Sequence, residues 1–191
     1  MTEYAFYPLS PERWDDFETF FSQSGHQSHC WCMAWRLRGG DYNKLDDDGR
    51  KNAMHELVNT GIPTGILMYQ GEKVIGWCSV APKETYVRLV RSKTMTSIDG
   101  QPVWAVVCFV LDPSVRGQHL GAKLLKAAAE HAFTQGAKLV EGYPVEPVIG
   151  KSGEAKKNPR AYMGTMSMFL DAGFQEVGRT PNGRPILRSY S

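Results

Sequence analysis

Residues 104–136 read WAVVCFVLDPSVRGQHLGAKLLKAAAEHAFTQG and contain a strand, a turn and a helix in succession. Residues 103–109 are all apolar and the next charged residue is Asp112, which predicts a strand buried on both faces of a sheet. Asp112 and Pro113 end this strand. Behind the turn, apolar residues recur at helical spacing and predict a long helix with one apolar face. These residues are Leu120, Leu124, Leu125, Ala128, Ala129 and Ala132.

The turn between this strand and this helix has the features of an anion site. The first helical turn presents free N–H groups, and the positive end of the helix dipole adds to them. Gly121 and Ala122 are small enough for a phosphate group to reach the backbone, and Arg116 supplies a fixed positive charge. No Gly-Lys-Ser/Thr sequence follows, which excludes a nucleotide P-loop. The turn therefore predicts a phosphate-bearing cofactor.

The segment 109–122, FVLDPSVRGQHLGA, resembles the acetyl-CoA motif of the GNAT superfamily of N-acyltransferases, Gln/Arg-x-x-Gly-x-Gly/Ala after a strand that ends in a Pro turn. Arg116 and Gly121 match the motif. His119 stands where the first Gly is usual, and there its side chain either narrows the loop or donates a hydrogen bond to the pyrophosphate. The resemblance implies that acetyl-CoA binds here, with backbone groups of the strand holding its pantetheine arm. The implied cofactor residues are Phe109, Val110, Leu111, Arg116, Gly117, Gln118, His119, Leu120, Gly121 and Ala122.

Length and composition predict one domain over residues 1–191, with 42% hydrophobic and 22% charged residues. The net charge of +2 is too small to indicate a nucleic acid or a membrane surface as partner. No apolar run approaches the roughly 20 residues that span a bilayer, and the first residues lack a signal-peptide pattern, so we expect a cytoplasmic protein. Whether it is a monomer or a homodimer stays open.

The whole chain predicts the order β-α-α-β-β-loop-β-α-β-α-β-β, an α/β domain with helices on both faces of a sheet. The resemblance covers nearly all of the chain. It implies a mixed, mostly antiparallel central sheet in which two parallel strands, around Val107 and Leu139, splay apart. The polar connection 82–101 is long for a compact domain, and it carries Lys83, Arg88, Arg91 and Lys93. Its length suggests an active-site wall or lid.

The segment 26–40, HQSHCWCMAWRLRGG, has no clean period and is typical of a loop or broken helix at a site. The resemblance implies that it walls the acceptor pocket, with Trp31, Trp35 and Arg36 as substrate-binding residues. The alternative is that both tryptophans pack the core.

The same segment raises the question of a metal site. Its histidines and cysteines, His26, His29, Cys30 and Cys32, do not have zinc-ligand spacing, because Cys-x-Cys is tighter than usual and no second ligand pair follows. We therefore expect no metal and four reduced cysteines.

Glu141 is the ionisable residue in the apolar part of the strand predicted at 137–143, and it is a candidate general base. Burial would raise its pKa towards neutrality, as proton removal from an amine requires. The alternatives are a structural salt bridge to Arg36 or Lys138, and Glu146 as the base.

A general acid is harder to assign. In the resembling family a Tyr four residues before the Gly at 173 commonly lies near the thiolate, but this chain has Phe169 there. Tyr162 is the first candidate, followed by Tyr143 and water.

These features predict an N-acetyltransferase that moves an acetyl group from acetyl-CoA to a primary amine of a small molecule or peptide. The aromatics near Trp31 and the carboxylate of Glu141 would suit a cationic amine, but the acceptor stays open. The alternative is a non-catalytic module that binds CoA or acyl-CoA, which the changed residues at 119 and 169 favour. The basic loop after Pro147 either meets the 3'-phosphate of CoA or is simply solvated; its cations are Lys151, Lys156, Lys157 and Arg160.

Overall fold

The computed structural model describes residues 3–23, 28–149, 155–156 and 161–191. In these ranges the strands are β1 (Tyr4–Pro8), β2 (Ile66–Gln70), β3 (Lys73–Pro82), β4 (Trp104–Leu111), β5 (Leu139–Gly142), β6 (Val148–Ile149), β7 (Ala155–Lys156), β8 (Gln175–Arg179) and β9 (Pro185–Tyr190). The helices are α1 (Trp14–Gln23), α2 (Gly39–Lys44), α3 (Asp47–Asn59), α4 (Val87–Val90), α5 (Leu120–Thr134) and α6 (Met166–Asp171).

The main sheet has the strand order β1-β2-β3-β4-β5-β9-β8. Its neighbours pair antiparallel except for β4 and β5, which are parallel. This arrangement confirms the expected mixed, mostly antiparallel sheet with one parallel pair. The short strands β6 and β7 form a separate hairpin, which the sequence analysis did not anticipate.

The two faces of the sheet carry separate cores because side chains alternate along each strand. Leu67 and Tyr69 of β2 face a first core that includes residues of α1 and α3, whereas Ile66 and Met68 face a second core that includes residues of α5 and α6. All six apolar residues that predicted the long helix are buried in the second core. Helices therefore cover both faces, as expected.

A β-bulge in β4 marks the place where the parallel pair separates. Ser79 of β3 pairs with Cys108 whereas Val80 pairs with Val106, so Val107 is an extra residue in β4. An extra residue bends its strand and increases the local twist. The pairing of β4 with β5 ends at the same point, with Val106 opposite Gly142. Past the bulge, β4 and β5 diverge.

After β5 the chain pairs with a different segment. Val145 donates its N–H to the carbonyl of Gly164 at 2.9 Å and accepts from the N–H of Met166 at 3.0 Å. Gly164 has a φ of +89°, and an added Cβ would lie 3.2 Å from the ring of Phe109. The backbone of residues 161–165 therefore passes close to β4.

The same glycine separates two helical elements, although the helical spacing of Met163, Met166, Phe169 and Leu170 predicts a single helix from Tyr162 to Ala172. A 3₁₀ turn covers Ala161–Met163, and α6 starts only at Met166, where the hydroxyl of Thr165 accepts from Met168 N. The connection 82–101 contains the short helix α4, and α2 is an additional helix that no sequence pattern predicted.

The remaining expectations concern cysteines and loops. All four cysteines are free, and Cys32, Cys78 and Cys108 are buried, which confirms reduced core thiols. Three cations of the basic loop, Lys151, Lys157 and Arg160, lie outside the described residues, as does the side chain of Lys156. No helix in the described ranges is long and apolar enough to cross a membrane.

Candidate active site

A cavity of about 340 Å³ lies at the N-terminus of α5. Its walls come from the end of β4, from the turn after it and from the start of α6. The N-cap residue of α5, His119, makes no side-chain hydrogen bond to the helix, so no cap side chain occupies the first backbone N–H groups. These groups and the small Gly121 and Ala122 suit a phosphate of acetyl-CoA. The lining residues are Leu111, Val115, Gly117, His119, Leu120, Gly121, Ala122, Thr165, Ser167, Met168 and Asp171.

His119 adopts a left-handed backbone conformation with φ of 56° and ψ of 19°. This conformation is free of steric cost only for glycine, and Gly117 two residues earlier also has a positive φ, of 79°. The turn thus places backbone strain at His119, where the resembling motif has Gly. The exposed His119 side chain lines the smaller cavity, so it lies near enough for either of the roles considered for it.

The other residues assigned to the cofactor fall into two groups. Leu111 and residues 117 and 119–122 line the smaller cavity, whereas Phe109 and Val110 are buried in the sheet and could contribute only backbone groups. The exposed Arg116 donates from Nε to Leu111 O at 3.3 Å, and the exposed Gln118 donates to Ser114 O at 3.3 Å. Neither side chain lines the cavity itself.

A larger cavity of about 610 Å³ opens towards the other face of the sheet. Trp35, Met95 and Tyr162 of its lining pack against the first core, whereas Leu111 and Met168 of the smaller cavity pack against the second. The segment 161–165 contributes to both cavities, because Tyr162 lines the larger cavity and Thr165 lines the smaller one. The lining residues are Trp35, Arg38, Gly39, Arg88, Arg91, Ser92, Thr94, Met95, Tyr162, Asn182 and Arg184.

Of the three residues predicted to bind the acceptor, only Trp35 lines this cavity. Trp31 is buried, and its ring stacks on Phe21 with the centroids 5.7 Å apart. Arg36 is buried too; its Nη2 donates to Thr64 O at 3.1 Å, and its guanidinium lies 4.5 Å from the centre of the Tyr86 ring. Neither Trp31 nor Arg36 lines this cavity, because core packing occupies the Trp31 ring, and the carbonyl of Thr64 and the ring of Tyr86 occupy the Arg36 guanidinium.

Glu141 has a completely buried side chain, and its carboxylate lies between two cations. Lys83 Nζ donates to Oε1 at 2.9 Å, and Arg188 Nε donates to Oε2 at 2.8 Å. The hydroxyl of Tyr143 also donates to Oε1. Burial alone raises the pKa of this carboxyl, but the hydrogen bonds and positive charges outweigh it, so the pKa of Glu141 is lower than usual. The predicted rise in its pKa is wrong, and its partners are not the predicted Arg36 or Lys138.

Glu146, the rival for the base, is exposed and forms an ion pair with Arg179 at 3.0 Å. Its hydrogen bond with Arg179 lowers its pKa, and it lines neither of the two cavities. Tyr143 is buried and its hydroxyl proton is directed at Glu141. Burial and the neighbouring Cys108 raise the pKa of Tyr162, which therefore stays protonated at neutral pH in the larger cavity.

The cysteine segment does not assemble a metal site in the described part of the chain. No group of three or more His, Cys, Asp or Glu residues within the described ranges could hold a metal ion, and His26 lies outside those ranges. Cys32 accepts a hydrogen bond from Trp77 Nε1 at 2.9 Å. A hydrogen bond with Cys32 and burial raise the pKa of the Cys108 thiol, which favours its protonated form.

Residues 6–141 match the Acetyltransferase (GNAT) family, and the chain belongs to that family. It is therefore an acyltransferase with acetyl-CoA as its acyl donor. None of the curated proteins compared with the sequence matches it.

Solved structures of acetyltransferases share the fold. An aminoglycoside acetyltransferase AAC(6')-Ib in complex with coenzyme A has a TM-score of 0.57 at 17% identity, over 98% of this chain and 95% of that one. The PaiA N-acetyltransferase from Thermoplasma acidophilum, also with coenzyme A, has a TM-score of 0.53 at 13% identity, over 99% of both chains. A longer GCN5-related N-acetyltransferase from Kribbella flavida matches over 93% of this chain but only 34% of its own length, with a TM-score of 0.49 at 14% identity.

Most of the residues that line the larger cavity could not be identified from the sequence. Arg88 and Arg91 were expected only as part of a possible wall, and no pattern predicted a role for Arg38, Asn182 or Arg184. The available signal was the length of the connection 82–101. These arginines come from three separate segments, and only the tertiary fold shows that they share one cavity.

Proposed function

We propose that the protein transfers the acetyl group of acetyl-CoA to a primary amine of a small molecule or peptide. The observation that carries this proposal is the pair of cavities on opposite faces of the sheet, which share the segment 161–165. The smaller cavity has the backbone donors and small residues that a CoA phosphate needs. The larger cavity offers a separate space for the acceptor.

Acetyl-CoA supplies an activated thioester to this site. The residues of the chain position it and control protons. The N-terminus of α5 would hold the phosphates, and the backbone of β4 beyond the bulge at Val107 would bind the arm that reaches the reacting centre. Because the pairing of β4 with β5 stops at Val106, the edge of β4 from there on is not used by β5.

Tyr162 is the residue that we propose as general acid. When the amine nitrogen forms its bond to the acetyl carbon and the carbon–sulfur bond breaks, Tyr162 would donate its proton to the departing sulfur. The proton lost by the amine would pass to solvent, and solvent would return a proton to Tyr162. The hydroxyl of Tyr162, whose pKa is raised by burial, is protonated at neutral pH, as a proton donor must be when the sulfur leaves. Glu141 is a positioning residue in this scheme, since its carboxylate is neutralised by Lys83 and Arg188.

Thiol release from acetyl-CoA, measured across a panel of amines, tests the proposal. We expect release with at least one class of primary amine, and we expect Tyr162→Phe to lower kcat by about 100-fold, with an unchanged KM for acetyl-CoA. Tyr190→Phe, at an exposed position of β9, is the matched control and should leave kcat unchanged. Binding of acetyl-CoA without thiol release for any amine would favour the non-catalytic CoA-binding module. The residues that favour this alternative are His119, in place of the usual Gly, and Phe169, in place of the usual Tyr.

A further inference from the structure

The larger cavity has a strongly positive lining. Four of its described lining residues are arginines, Arg38, Arg88, Arg91 and Arg184, and no Asp or Glu is among the lining residues that the structure describes. We infer that the acceptor carries an anionic group, a carboxylate or a phosphate, in addition to its amine, and that Arg38, Arg88 and Arg91 bind that group. The inference rests on the proposed function, because it names the class of substrate for the same site.

The arginines reach the cavity from three parts of the fold. Arg88 lies in α4 and Arg91 directly follows that helix, Arg38 is the N-cap of α2, and Arg184 directly precedes β9. Arg88 lies 5.8 Å from the ring centre of Trp35, and Arg184 Nε donates to Tyr143 O at 2.8 Å. The side chains of Arg38, Arg88 and Arg91 are exposed to the cavity and the solvent. Three separate segments thus place guanidinium groups around one space.

Three arginines elsewhere in the described chain are paired with carboxylates. Arg50 pairs with Asp47, Arg179 with Glu146, and Arg188 with both Asp99 and Glu141. Among the residues that the structure describes, the lining of the larger cavity provides no carboxylate for Arg38, Arg88 or Arg91. A guanidinium has a planar fork of donors that fits a carboxylate or a phosphate with two parallel hydrogen bonds. An anionic group of the substrate would supply the negative charge that the lining does not.

The same positive charge disfavours an acceptor that is only cationic. The guanidinium groups repel an ammonium ion, and the carboxylate of Glu141 cannot compensate because Lys83 and Arg188 already neutralise it. For a substrate that is anchored by its anion, this repulsion is useful. Nearby positive charges lower the pKa of an ammonium group and so favour the neutral amine that attacks the thioester. The cavity would therefore assist deprotonation without a carboxylate base.

The first experiment compares matched amines that differ only in the anion. Thiol release from acetyl-CoA is measured with 4-aminobutanoate against its amide, phosphoethanolamine against ethanolamine, an acidic peptide with a free N-terminus against its amidated form, and spermidine. We expect kcat/KM to be at least about tenfold higher for the anionic member of one or more pairs, because charge-assisted hydrogen bonds are then formed. The pair with the larger ratio tells carboxylate from phosphate.

The second experiment removes the charge from the protein. In the double variant Arg88→Gln/Arg91→Gln, the KM for the anionic acceptor should rise at least about tenfold, while the KM for acetyl-CoA should change less than about twofold. The matched control is Arg13→Gln, whose guanidinium lies over the Tyr7 ring on β1, and it should change neither value. A rise in the KM for acetyl-CoA alone would mean that these arginines bind CoA phosphates and would overturn the inference.

The two proposals fail in different ways. No thiol release with any amine would overturn the proposed acetyl transfer, and the inference with it. Release with equal kcat/KM for both members of every pair, or with spermidine preferred, would overturn only the inference. A circular-dichroism spectrum and a melting temperature like those of the unmodified protein would show that the double variant is folded.

Discussion

Arg188 binds Asp99 with both of its terminal nitrogens, at 2.7 Å from Nη1 to Oδ2 and at 2.9 Å from Nη2 to Oδ1. Asp99 belongs to the connection between α4 and β4, and Ser92, Thr94 and Met95 of that connection line the larger cavity. Arg188 is a β9 residue that also binds the buried Glu141. One guanidinium therefore ties the wall of the larger cavity to the centre of the sheet.

Asp99→Asn should loosen this wall. We expect faster hydrogen exchange in residues 92–103 and a roughly tenfold higher KM for the acceptor, because substrate positioning is sensitive to small displacements. The hydrogen bonds from Arg188 lower the pKa of Asp99 to about 2. Since this value lies below that of the unfolded chain, the contribution of Asp99 to stability is present above about pH 4 and is lost as the pH falls towards 2.

The control for this variant is Asp41→Asn, at a surface ion pair with Lys44 of 3.7 Å. It should alter neither the exchange in residues 92–103 nor the KM. An Asp99→Asn variant with unchanged exchange and unchanged KM would show that the ion pair does not hold the wall.

Glu141→Gln should lower the free energy of unfolding by about 3 kcal/mol at neutral pH. The substitution leaves the cations of Lys83 and Arg188 next to a neutral group in a buried position. Because the pKa of Glu141 is lowered in the folded state, the difference from the unmodified protein should shrink as the pH falls below about 4, where the unfolded carboxyl protonates. Urea denaturation at several pH values measures this difference in the free energy of unfolding.

The pH–rate profile of the same variant separates structure from catalysis. We expect its shape to stay unchanged, since Glu141 takes no proton from the amine. A variant of normal stability whose rate falls most at low pH would instead make Glu141 the general base.

His119→Gly should raise the free energy of unfolding by up to about 1 kcal/mol. The left-handed conformation of His119 costs of order 1–2 kcal/mol, and the greater freedom of glycine in the unfolded chain offsets part of the gain. Thermal unfolding measures the effect, and Gln118→Gly, at an exposed neighbour without a positive φ, should destabilise instead. Equilibrium binding of CoA to the same variant decides the role of the side chain: weaker binding indicates a hydrogen-bond donor, and tighter binding indicates a narrowed loop.

Gly121→Val should destabilise the fold by about 1–3 kcal/mol, because an added Cβ would overlap Met168 Sδ of α6. Met168→Ala in the same chain should restore part of the loss. Ala122→Val is the cleaner test of the smaller cavity, since Ala122 is half-buried and lines the cavity. It should weaken CoA binding with a loss of stability below about 1 kcal/mol. Unchanged CoA affinity in Ala122→Val would contradict the placement of CoA there.

The sequence predicted those parts of the fold that periodicity and local signals specify. The apolar spacing from Leu120 to Ala132 predicted α5. Two strand-like runs, 64–69 and 73–81, joined by a short loop with Gly71, likewise predict the hairpin of β2 and β3. A last strand is predicted at 185–190, and β9 has these bounds. The turn at 116–122 could also be recognised, because its residue types are fixed by the backbone groups that an anion needs.

The chemistry of the larger cavity could not be predicted from sequence. Arg38 and Arg184 are 146 positions apart in the sequence, and no local sequence pattern indicates that they line one cavity. The pKa of Glu141 was predicted in the wrong direction for the same reason. A lone carboxylate in an apolar strand suggests desolvation, but the opposing cations come from Lys83 and Arg188, which only the sheet brings together.

Because Val107 is an extra residue in β4, the separation of β4 from β5 depends on the number of residues in the strand as well as on their side chains. Deleting Val107 would remove the bulge and leave Cys108 opposite Ser79 and Val106 opposite Val80, because Val107 and Cys108 face the same core. The remaining residues of β4 would keep their faces, but the strand would lose the bend at which its pairing with β5 ends, whereas a Val107→Ala substitution would keep the bend. The opening between β4 and β5 should therefore tolerate many changes of side chain in β4 but not the loss of this residue.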